Sequence, residues 1–360
     1  MKKRIMRCTL IGLGVMRKKY ALMLDSQEVK GLSLAAVVCR SDDSVQWAND
    51  HLHISDRVFR NEDELYCHSE LFDAVLIVTP DKLHPQMTIR ALAEGKHVMC
   101  DKPPGILYAD AEKMQETAER NGLVYALMCH QRTFPAHMRV RQLLREGAVG
   151  SIRRVLLVNS MFFRTPAYHA SSPWRSSWKG EGGGALINQG YHILDFCTDL
   201  FGLPETVYAM IPFGKYNAFL VDDEATVLME YPDRMTGTFI ISTGERYPVD
   251  RLEILGTEGS LILEGNHLRL TRFSQDTEGC GQQVIEEDHA RETKPYHIML
   301  ENFAEAINSG TSLIASGKEG IGVLQLINAA YLSAWAEKKV TLPVDADAYT
   351  ACLKQKEAEE

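Results

Sequence analysis

A pair of glycines follows the first apolar run of the chain and precedes a helical pattern. The residues are Ile11-Gly12-Leu13-Gly14-Val15-Met16-Arg17. Between a strand and a helix, a G-x-G pair permits a tight turn and lets the backbone approach a pyrophosphate, which the amides of the helix N-terminus bind. Arg17 stands where the G-x-G-x-x-G pattern has its third glycine, so either the helix is displaced or the guanidinium turns outward, toward a phosphate. A simple tight turn is the alternative interpretation of the pair.

The second apolar run ends in Cys39-Arg40-Ser41, with no acidic residue among them. An Asp or Glu at this point of a dinucleotide-binding domain binds the ribose 2′-hydroxyl and repels a 2′-phosphate. Arginine instead pairs with a phosphate through two hydrogen bonds. These residues therefore favour NADP over NAD. In the alternative interpretation Arg40 is a solvated charge, and Asp42 or Asp43 binds the ribose.

A lysine follows a later apolar run, in Cys100-Asp101-Lys102-Pro103-Pro104. Ligands of open α/β sheets gather at the carboxyl ends of the strands, which is where this lysine is expected. Because an oxidised nicotinamide is cationic, a lysine beside it gives up its proton more easily than a solvated lysine does. Such a lysine can exchange a proton with a substrate hydroxyl. A solvated surface lysine is the ordinary alternative.

A second cluster of polar residues lies between Gly182 and Asp195, in the sequence GGGALINQGYHILD. If a helix starts near Asn188, then Asn188 and His192 lie four residues apart on one face, and Asp195 follows the histidine by three residues. A lone histidine is more often structural. The neighbouring amide and carboxylate make this one a candidate for chemistry.

The strands and helices that must position these residues show one pattern of apolar runs in the first part of the chain and another in the second. Up to about Tyr125, short apolar runs alternate with helical patterns, which predicts a doubly wound parallel sheet. The predicted strands are Met6–Ile11, Leu34–Val38, Ala74–Val78, His97–Met99 and Leu123–Leu127. The predicted helices are Met16–Asp25, Ser44–His51, Glu62–His68, His84–Ala93 and Ala109–Asn121.

From about Val155 onward the apolar runs become longer and are joined by turn sequences, which predicts an open, mostly antiparallel sheet. Its strands are expected at Arg154–Phe163, Glu205–Pro212, Ala225–Tyr231, Thr236–Thr243, Arg251–Gly256, Ser260–Glu264 and His267–Phe273. Helices are expected at Gly190–Leu200, His297–Asn308 and Lys318–Glu337, followed by a charged tail, Lys354–Glu360, that should fray. We place the domains at 1–126 and 127–360, with the C-terminal helices able to pack back on the first domain.

Composition excludes several classes of protein. Of 360 residues 45% are hydrophobic and 24% charged, as in folded globular proteins. A net charge of −9 without a long basic run argues against nucleic acid or an anionic membrane as partner. No apolar stretch approaches the roughly 20 residues of a membrane span, and no signal peptide is visible. The eight cysteines form no C-x-x-C pair, so we expect a reduced, cytoplasmic protein without a metal site.

Taken together, these motifs resemble the Gfo/Idh/MocA family of sugar and cyclitol oxidoreductases, in the right order and over nearly the whole chain. The segments that carry the resemblance are Ile11–Gly14, Asp73–Pro80 with His84, Gly95–Pro103, Gly182–Asp195, Val221–Ala225, Arg251–Gly259 and Leu332–Trp335. The resemblance implies an α/β protein, with an N-terminal Rossmann domain and a C-terminal α/β domain whose large open sheet carries the substrate on one face and subunit contacts on the other. A homodimer or homotetramer is implied.

The resemblance also assigns roles. Lys102 matches the lysine of the family's E-K-P motif, with Asp101 in place of Glu, and His192 matches its catalytic histidine. We therefore expect His192 to act as general acid/base while Lys102 hydrogen-bonds the reacting oxygen. Catalytic residues are then Lys102, His192 and Asn188. Cofactor-binding residues, for NADP or NAD, are Gly12, Gly14, Met16, Arg17, Cys39, Arg40, Ser41, Thr79, Pro80, His84, Asp101 and Lys102.

Substrate recognition should involve aromatic and basic residues near that pair. A flat aromatic face with hydrogen-bond donors suits a sugar ring. Arg164, Trp174 and Arg175 lie in the same region, and the arginines leave an acidic or phosphorylated sugar open. Tryptophans that fill the domain junction are the alternative. The predicted substrate-binding residues are Lys102, Arg132, Phe163, Trp178, Asn188 and His192.

One departure concerns Asn188, because many inositol and sugar dehydrogenases of the family have Asp four residues before the histidine. An amide can orient the substrate or the imidazole, but it cannot stabilise an imidazolium as a carboxylate does. Asp195 either compensates or packs outward. Two alternatives to a dehydrogenase remain open: a non-redox glycosidase or epimerase that recycles tightly bound cofactor, and a non-catalytic sensor on the same fold.

Overall fold

The computed structural model describes residues 4–14, 17–54, 56–172, 174–273 and 281–360, so that Met16 and Cys280 lie outside the described residues. The chain divides into two compact units. Unit 1 comprises Met1–Gly105, Ala109–His130 and Lys294–Ile321, and unit 2 comprises Ile106–Tyr108, Gln131–Thr293 and Gly322–Glu360.

Strands and helices of the described ranges are numbered in chain order. The strands are β1 (Met6–Ile11), β2 (Leu32–Val38), β3 (Val58–Phe59), β4 (Ala74–Ile77), β5 (His97–Cys100), β6 (Tyr125–Leu127), β7 (Ile152–Asn159), β8 (Thr206–Met210), β9 (Glu224–Glu230), β10 (Thr236–Ser242), β11 (Asp250–Gly256), β12 (Gly259–Glu264), β13 (His267–Phe273), β14 (Gln282–Asp288) and β15 (Val340–Thr341). The helices are α1 (Arg17–Asp25), α2 (Asp42–His51), α3 (Glu62–Tyr66), α4 (His84–Ala93), α5 (Tyr108–Arg120), α6 (Pro135–Arg145), α7 (Pro166–His169), α8 (Ala185–Asn188), α9 (Gly190–Phe201), α10 (Pro295–Ser309), α11 (Gly317–Ala336) and α12 (Ala346–Glu359). Within these ranges, no helix combines the length and the apolar character that a bilayer crossing requires.

Unit 1 contains a parallel sheet with the strand order β3-β2-β1-β4-β5-β6, and every neighbouring pair in it is parallel. This confirms the predicted doubly wound sheet. Strand β4, at the centre of the sheet, is apolar along its whole length and all four of its residues are buried, as expected for a parallel strand whose two faces are covered. The order reverses between β1 and β4, which makes the carboxyl ends of these strands the place where a ligand is expected.

Unit 2 contains a sheet with the order β14-β13-β12-β11-β7-β10-β9-β8-β15. Only the β7–β10 pair is parallel among the strands that the structure describes, so the predicted mostly antiparallel sheet is confirmed. The first strand is shorter than predicted and ends at Asn159. The next residue, Ser160, donates its backbone N–H to Val249 at 2.8 Å, just before β11 begins, and the chain continues as a loop.

The charged tail does not fray as expected, because Lys354–Glu359 form the last six residues of α12. The carboxylate of Asp345 caps this helix by accepting hydrogen bonds from the N–H groups of Asp347 and Ala348, both at 3.0 Å. Tyr349 and Leu353, four residues apart, are buried on one face. Terminal Glu360 accepts hydrogen bonds from the backbone of Trp178 and Lys179, at 2.5 and 3.0 Å. These contacts hold a segment whose composition alone suggests fraying.

Candidate active site

Gly12 and Gly14 form the turn between β1 and α1. Gly12 has φ +100°, and a Cβ placed there would lie 2.7 Å from the carbonyl oxygen of Val78, so that no other residue fits without movement. Its N–H donates to the carbonyl of Val38 at 2.9 Å, which joins the turn to β2. The turn therefore presents backbone, rather than side chains, to whatever occupies the space beside it.

Arg17 folds back over this turn. A Cβ at Gly14 would lie 3.2 Å from Cδ and 3.3 Å from Nη1 of Arg17. The backbone N–H of Arg17 donates to the carbonyl of Gly14 at 3.0 Å as α1 begins. The guanidinium thus lies beside the glycines, at the N-terminal end of the helix, where an anion is stabilised.

A cleft of about 340 Å³ opens beside the glycine turn, which is the size of a small-molecule site. It lies at the carboxyl ends of β1, β2 and β4, as expected for a doubly wound sheet. Eight of the predicted cofactor-binding residues line it together: Gly12, Gly14, Arg17, Cys39, Arg40, Ser41, Thr79 and Pro80. Its other lining residues are Ile11, Leu13, Val38, Ser44, Asn61, Glu62, Leu83 and Met87.

Arg40 is exposed at the mouth of this cleft. Its guanidinium makes no hydrogen bond or ion pair with the described part of the chain. Ser41 caps α2 and donates its hydroxyl to Ser44 at 2.8 Å. Asp42, the alternative ribose ligand, pairs instead with Arg60 at 2.7 Å. The cation at the end of β2 is therefore available to a ligand, whereas the carboxylate of Asp42 is paired with Arg60.

Glu62, which the sequence did not single out, brings a carboxylate into the same cleft. Its Oε1 atom is buried and has no hydrogen-bond partner among the described residues. Burial raises the pKa of Glu62, and the guanidinium groups of Arg90 and Arg40 act in the opposite direction. A buried acceptor without a donor is costly, so a ligand that donates a hydrogen bond fits here. The glycine turn, the exposed cation and this acceptor together fit a dinucleotide.

His84 holds two loops of unit 1 and does not reach the cleft. It is fully buried, with Nδ1 2.7 Å from the carbonyl oxygen of Pro103 and Nε2 2.8 Å from that of Thr79. Carbonyl oxygens only accept, so both ring nitrogens must carry a proton and the ring is an imidazolium. Burial opposes this charge, but Cys100, the Pro103 carbonyl and Asp101 together raise the pKa of His84 above its ordinary value. His84 therefore links these two loops, and its predicted contact with the cofactor stays a prediction.

Lys102 lies directly after β5, as expected. The carboxylate of Asp101 accepts a 2.9 Å hydrogen bond from the backbone N–H of Lys102, and the Asp101 N–H donates to Ile77 at 2.8 Å. The lysine backbone is therefore tied to the end of the sheet. Neither Asp101 nor Lys102 is among the described residues that line the cleft.

His130 also belongs to this neighbourhood, although the sequence analysis did not identify it. Its ring packs 4.6 Å from that of Tyr296. Burial lowers the pKa of His130 to about 4, while Asp101 acts in the opposite direction and Lys102 adds to the lowering. At neutral pH the imidazole is uncharged, so it does not add a second cation beside Lys102. No local pattern marks it, because its partner comes from α10, far along the chain.

In unit 2, Asp222 stabilises the start of the helical segment that contains the second predicted cluster, Gly182–Asp195. Its carboxylate accepts hydrogen bonds from the N–H groups of Gly184 at 2.8 Å and Leu186 at 2.6 Å, and from the hydroxyl of Tyr331 at 2.6 Å. A Cβ at Gly184 would lie 1.9 Å from the Asp222 carbonyl oxygen, so this glycine permits the close approach. The aspartate thereby fixes where α8 starts.

Asn188 and His192 retain their helical spacing across the junction of α8 and α9. The residue between the helices, Gln189, is itself helical, with φ −82° and ψ −42°. The Nδ2 group of Asn188 donates to Oε1 of Glu181 at 2.6 Å, and Oε2 accepts from the N–H of Ser176 at 2.7 Å. Glu181 is 2% exposed. Asn188 is therefore hydrogen-bonded to a buried carboxylate. Glu181 lies seven residues before Asn188, and no pattern in the sequence indicates this contact.

Two predicted substrate-binding residues are buried in unit 2. Arg132, 2% exposed, binds Asp195 through two hydrogen bonds of 2.8 and 2.7 Å, with Asp199 at 3.6 Å. Asp195 is therefore the buried ion-pair partner of Arg132. Trp178 is 1% exposed, donates Nε1–H to Leu220 at 3.1 Å and packs edge-on against Trp335. These placements do not support substrate contacts by Arg132 or Trp178; both side chains stabilise unit 2.

Phe163 remains at the surface of unit 2, 39% exposed. The guanidinium of Arg246 lies over its ring, with Cζ 5.3 Å from the ring centroid. The loop after β7 therefore presents an aromatic face with a cation, in agreement with the kind of surface that was predicted around Phe163.

Comparison with known proteins adds two kinds of similarity. Residues 6–128 match a family model described as an oxidoreductase family with an NAD-binding Rossmann fold. Residues 137–262 match the model of the GFO/IDH/MocA C-terminal domain. Between them these matches cover more than half of the chain.

Among curated proteins, the chain is 26% identical to scyllo-inositol 2-dehydrogenase (NADP(+)) IolW of Bacillus subtilis (strain 168) over 294 residues, which are 75% of this chain and 79% of that protein. It is 30% identical to trans-1,2-dihydrobenzene-1,2-diol dehydrogenase of Mus musculus over 189 residues, 52% of this chain and 54% of that protein. Among solved structures, the WlbA dehydrogenase of Bordetella pertussis, in complex with NADH and UDP-GlcNAcA, superimposes with a TM-score of 0.82 at 21% identity over 95% of this chain and all of that chain. This likeness shows a common fold.

Proposed function

Because the chain belongs to the Gfo/Idh/MocA family of oxidoreductases, we propose that it is an NAD(P)-dependent dehydrogenase of a sugar, sugar derivative or cyclitol. The observation that carries the proposal is the cleft of unit 1, where the glycine turn and Arg40 meet at the carboxyl ends of parallel strands. Relatives named for oxidation of an inositol and of a dihydrodiol support a ring carbon that bears a hydroxyl as the reacting centre.

The chemistry divides between the cofactor and the chain. When bound, the nicotinamide supplies the acceptor or donor of the hydride. Oxidation of the alcohol breaks one C–H and one O–H bond, so the chain must accept the hydroxyl proton. We assign His192 as the general base for that proton, with Lys102 donating a hydrogen bond to the reacting oxygen. In the reverse direction the same groups return the proton to the ketone oxygen.

Asn188 is assigned to orientation rather than to charge. Its Nδ2 group is committed to Glu181, so the carbonyl end of the amide can only accept a hydrogen bond. An acceptor in a fixed direction suits a substrate hydroxyl or an imidazole N–H. The negative charge that the family commonly places at this position is supplied here by Glu181, through the amide.

We further propose that NADP is bound more tightly than NAD. The guanidinium of Arg40 lies at the cleft and forms no ion pair with the described part of the chain, and the hydroxyls of Ser41 and Ser44 line the same cleft. A 2′-phosphate would gain a charge-assisted pair with the guanidinium. The Bacillus subtilis relative, named for NADP, supports the same preference.

A homo-oligomer is proposed from the sheet of unit 2. Apolar side chains alternate outward along neighbouring strands, and Tyr208, Met210 and Leu228 are 42%, 66% and 47% exposed. Tyr208 lies directly across from Leu228 in the β8–β9 ladder, so that these side chains form one patch. Exposed apolar patches of this kind mark interfaces. A single-chain mass in sedimentation velocity would contradict this assignment.

The experiment is a rate measurement on purified, dialysed protein with a panel of cyclitols, aldoses and sugar acids, with NAD and NADP supplied separately. Net formation of reduced nicotinamide with any member of the panel supports the dehydrogenase. Product formation with dinucleotide retained through dialysis, and without net reduction, would indicate a glycosidase or epimerase that recycles its cofactor. Binding of sugar and dinucleotide without turnover in either direction would indicate a sensor.

A further inference from the structure

The loop that follows β7 holds an arginine without an anionic partner. The guanidinium of Arg164 lies over the rings of Tyr168 and Phe162, with Cζ 4.1 and 5.2 Å from their centroids. Its Nε atom is buried and has no hydrogen-bond acceptor, and its side chain forms no ion pair with the described part of the chain. Burial removes the hydrogen bond that Nε of a guanidinium donates to water, and no acceptor in the loop replaces it.

A second arginine shares the same ring. Cζ of Arg175 lies 4.5 Å from the centroid of Tyr168, and Nη1 donates to the Tyr168 hydroxyl at 2.7 Å. The Nε atom of Arg175 is also buried without an acceptor. Two like charges around one tyrosine repel each other, and the carboxylate of Glu181, 3.8 Å from Nη1 of Arg175, offsets the charge of Arg175 but forms no ion pair with Arg164.

A histidine completes the set. His169 contacts the hydroxyl of Ser176 through Nδ1 at 2.5 Å, and its Nε2 atom is buried without a partner. Burial lowers the pKa of His169, Asp223 opposes that lowering, and Arg164 and Arg175 add to it. The His169 ring lies 5.3 Å from the ring of Tyr168, which both guanidinium groups cover, so the three side chains surround the same tyrosine.

The nearby carboxylates are already engaged. Glu181 lies 3.8 Å from Nη1 of Arg175, but its two oxygens accept hydrogen bonds from Asn188 and Ser176. The carboxylate of Asp223 is held by the backbone N–H groups of 215–217, at 3.1, 2.8 and 3.0 Å. Neither one supplies an acceptor to the buried Nε atoms of the arginines.

We propose that Arg164, Arg175 and His169 form a subsite for an anionic group of the substrate, a carboxylate or a phosphate. The oxygens of such a group accept hydrogen bonds from Arg164 Nε and Arg175 Nε, and from Nε2 of His169 when that atom carries the proton. The bridge from Arg175 through Glu181 to Asn188 ties the subsite to the segment that presents His192. This inference rests on the proposed dehydrogenase and narrows its substrate to an acidic or phosphorylated sugar.

The kinetic test compares kcat/KM for glucose, glucuronate and glucose 6-phosphate in the wild type, Arg164→Met and Arg175→Met. Arg145→Met is the matched control, because Arg145 is an exposed arginine at the end of α6 in the same unit. Loss of one hydrogen bond to a charged group predicts a fall of about 10- to 100-fold for the preferred anionic sugar. The rate with glucose and the rates of the control should stay within about twofold. The preferred of the two anions identifies carboxylate or phosphate as the ligand group.

A binding test separates the subsite from the reaction. Thermal unfolding of the wild type is measured with glucuronate, glucose 6-phosphate or glucose, and the anionic sugars alone should raise Tm. If Arg164→Met abolishes that rise while the enzyme oxidises no sugar, the subsite stands and the dehydrogenase fails. If glucose is oxidised and anionic sugars neither raise Tm nor react faster, the dehydrogenase stands and the subsite is wrong.

Arg164→Lys is the control for misfolding, because it keeps the positive charge and removes the Nε donor. It should retain the wild-type Tm without ligand and lose most of the preference for the anionic sugar. Equal preference in the wild type, Arg164→Lys and Arg145→Met would overturn the proposal, because the loop would then be only a packed aromatic cluster.

Discussion

The side-chain amide of Asn188 donates a 2.6 Å hydrogen bond to the buried carboxylate of Glu181. This contact explains why the position four residues before His192 carries an amide in this chain. Asn188→Asp would place two carboxylates in contact, and two such groups share one proton because both cannot ionise. The substitution therefore does not simply restore the carboxylate common in relatives.

We predict that Asn188→Asp becomes less stable as pH rises. The shared proton raises the pKa of the carboxyl pair above the unfolded value near 4, and a raised folded pKa contributes stability that is lost as pH rises through it. A tenfold change in the affinity for that proton corresponds to about 1.4 kcal/mol in the free energy of unfolding. Tm measured from pH 5 to about pH 8 should fall relative to the wild type. Asn49→Asp, on the exposed face of α2, adds the same charge and should show no such trend; a parallel trend would refute the account.

The first half of the site was predictable from local patterns. The positive φ of residue 12 and the nearby carbonyl of Val78 both require a glycine at this position. Arg40 follows the end of β2, so a strand–turn–helix pattern predicts that both residues lie at one edge of the sheet. The buried runs of β1 and β4 mark a parallel sheet because both of its faces are covered. For these residues a local sequence pattern was enough to predict their place at the end of a strand.

The other features of the site could not be predicted, because they depend on contacts between residues that are distant in sequence. Glu62 begins a short surface helix, and nothing in its sequence shows that Oε1 is buried in the cleft. Arg132 has the residue type of a substrate ligand, but Asp195, 63 residues later, neutralises it in the core. Strand β14 is rich in charge and has no apolar run; its pairing with β13 stabilises it through the backbone.

Arg132 should matter for stability and not for substrate affinity. Arg132→Met leaves Asp195 buried without its partner, which predicts a loss of about 3–5 kcal/mol in the free energy of unfolding. Adding Asp195→Leu removes the unpaired charge and should recover most of that loss. Urea unfolding measures both variants. A KM for sugar that rises tenfold or more in the folded double variant would show instead that Arg132 binds substrate.

Arg40 should decide the choice of dinucleotide. Arg40→Ala removes the cation that pairs with a 2′-phosphate, so Kd for NADP should rise about 10-fold or more while Kd for NAD changes little. Isothermal titration with each dinucleotide gives the ratio directly. Arg120→Ala, exposed at the end of α5, is the charge-matched control. An unchanged NADP/NAD ratio in Arg40→Ala would assign the ribose to other residues.

His84 should make the stability of unit 1 depend on pH. Because its folded pKa is raised, its contribution is fully present below the ordinary value near 6.5 and is lost as pH rises through the folded value. The difference in Tm between the wild type and His84→Gln should therefore be largest near pH 6 and shrink toward about pH 9. His68→Gln, an exposed histidine of the same unit, serves as control. A difference that is constant over this range would mean that the ring is neutral in the folded protein.

The central claim is that His192 and Lys102 transfer the proton while the cleft of unit 1 binds the dinucleotide. The direct measurement is kcat of His192→Ala and Lys102→Ala with the best sugar of the panel, together with Kd for the dinucleotide. We predict that each substitution lowers kcat by about 100-fold or more and changes Kd by less than about threefold. A near-normal kcat in either variant would contradict the assignment of that residue.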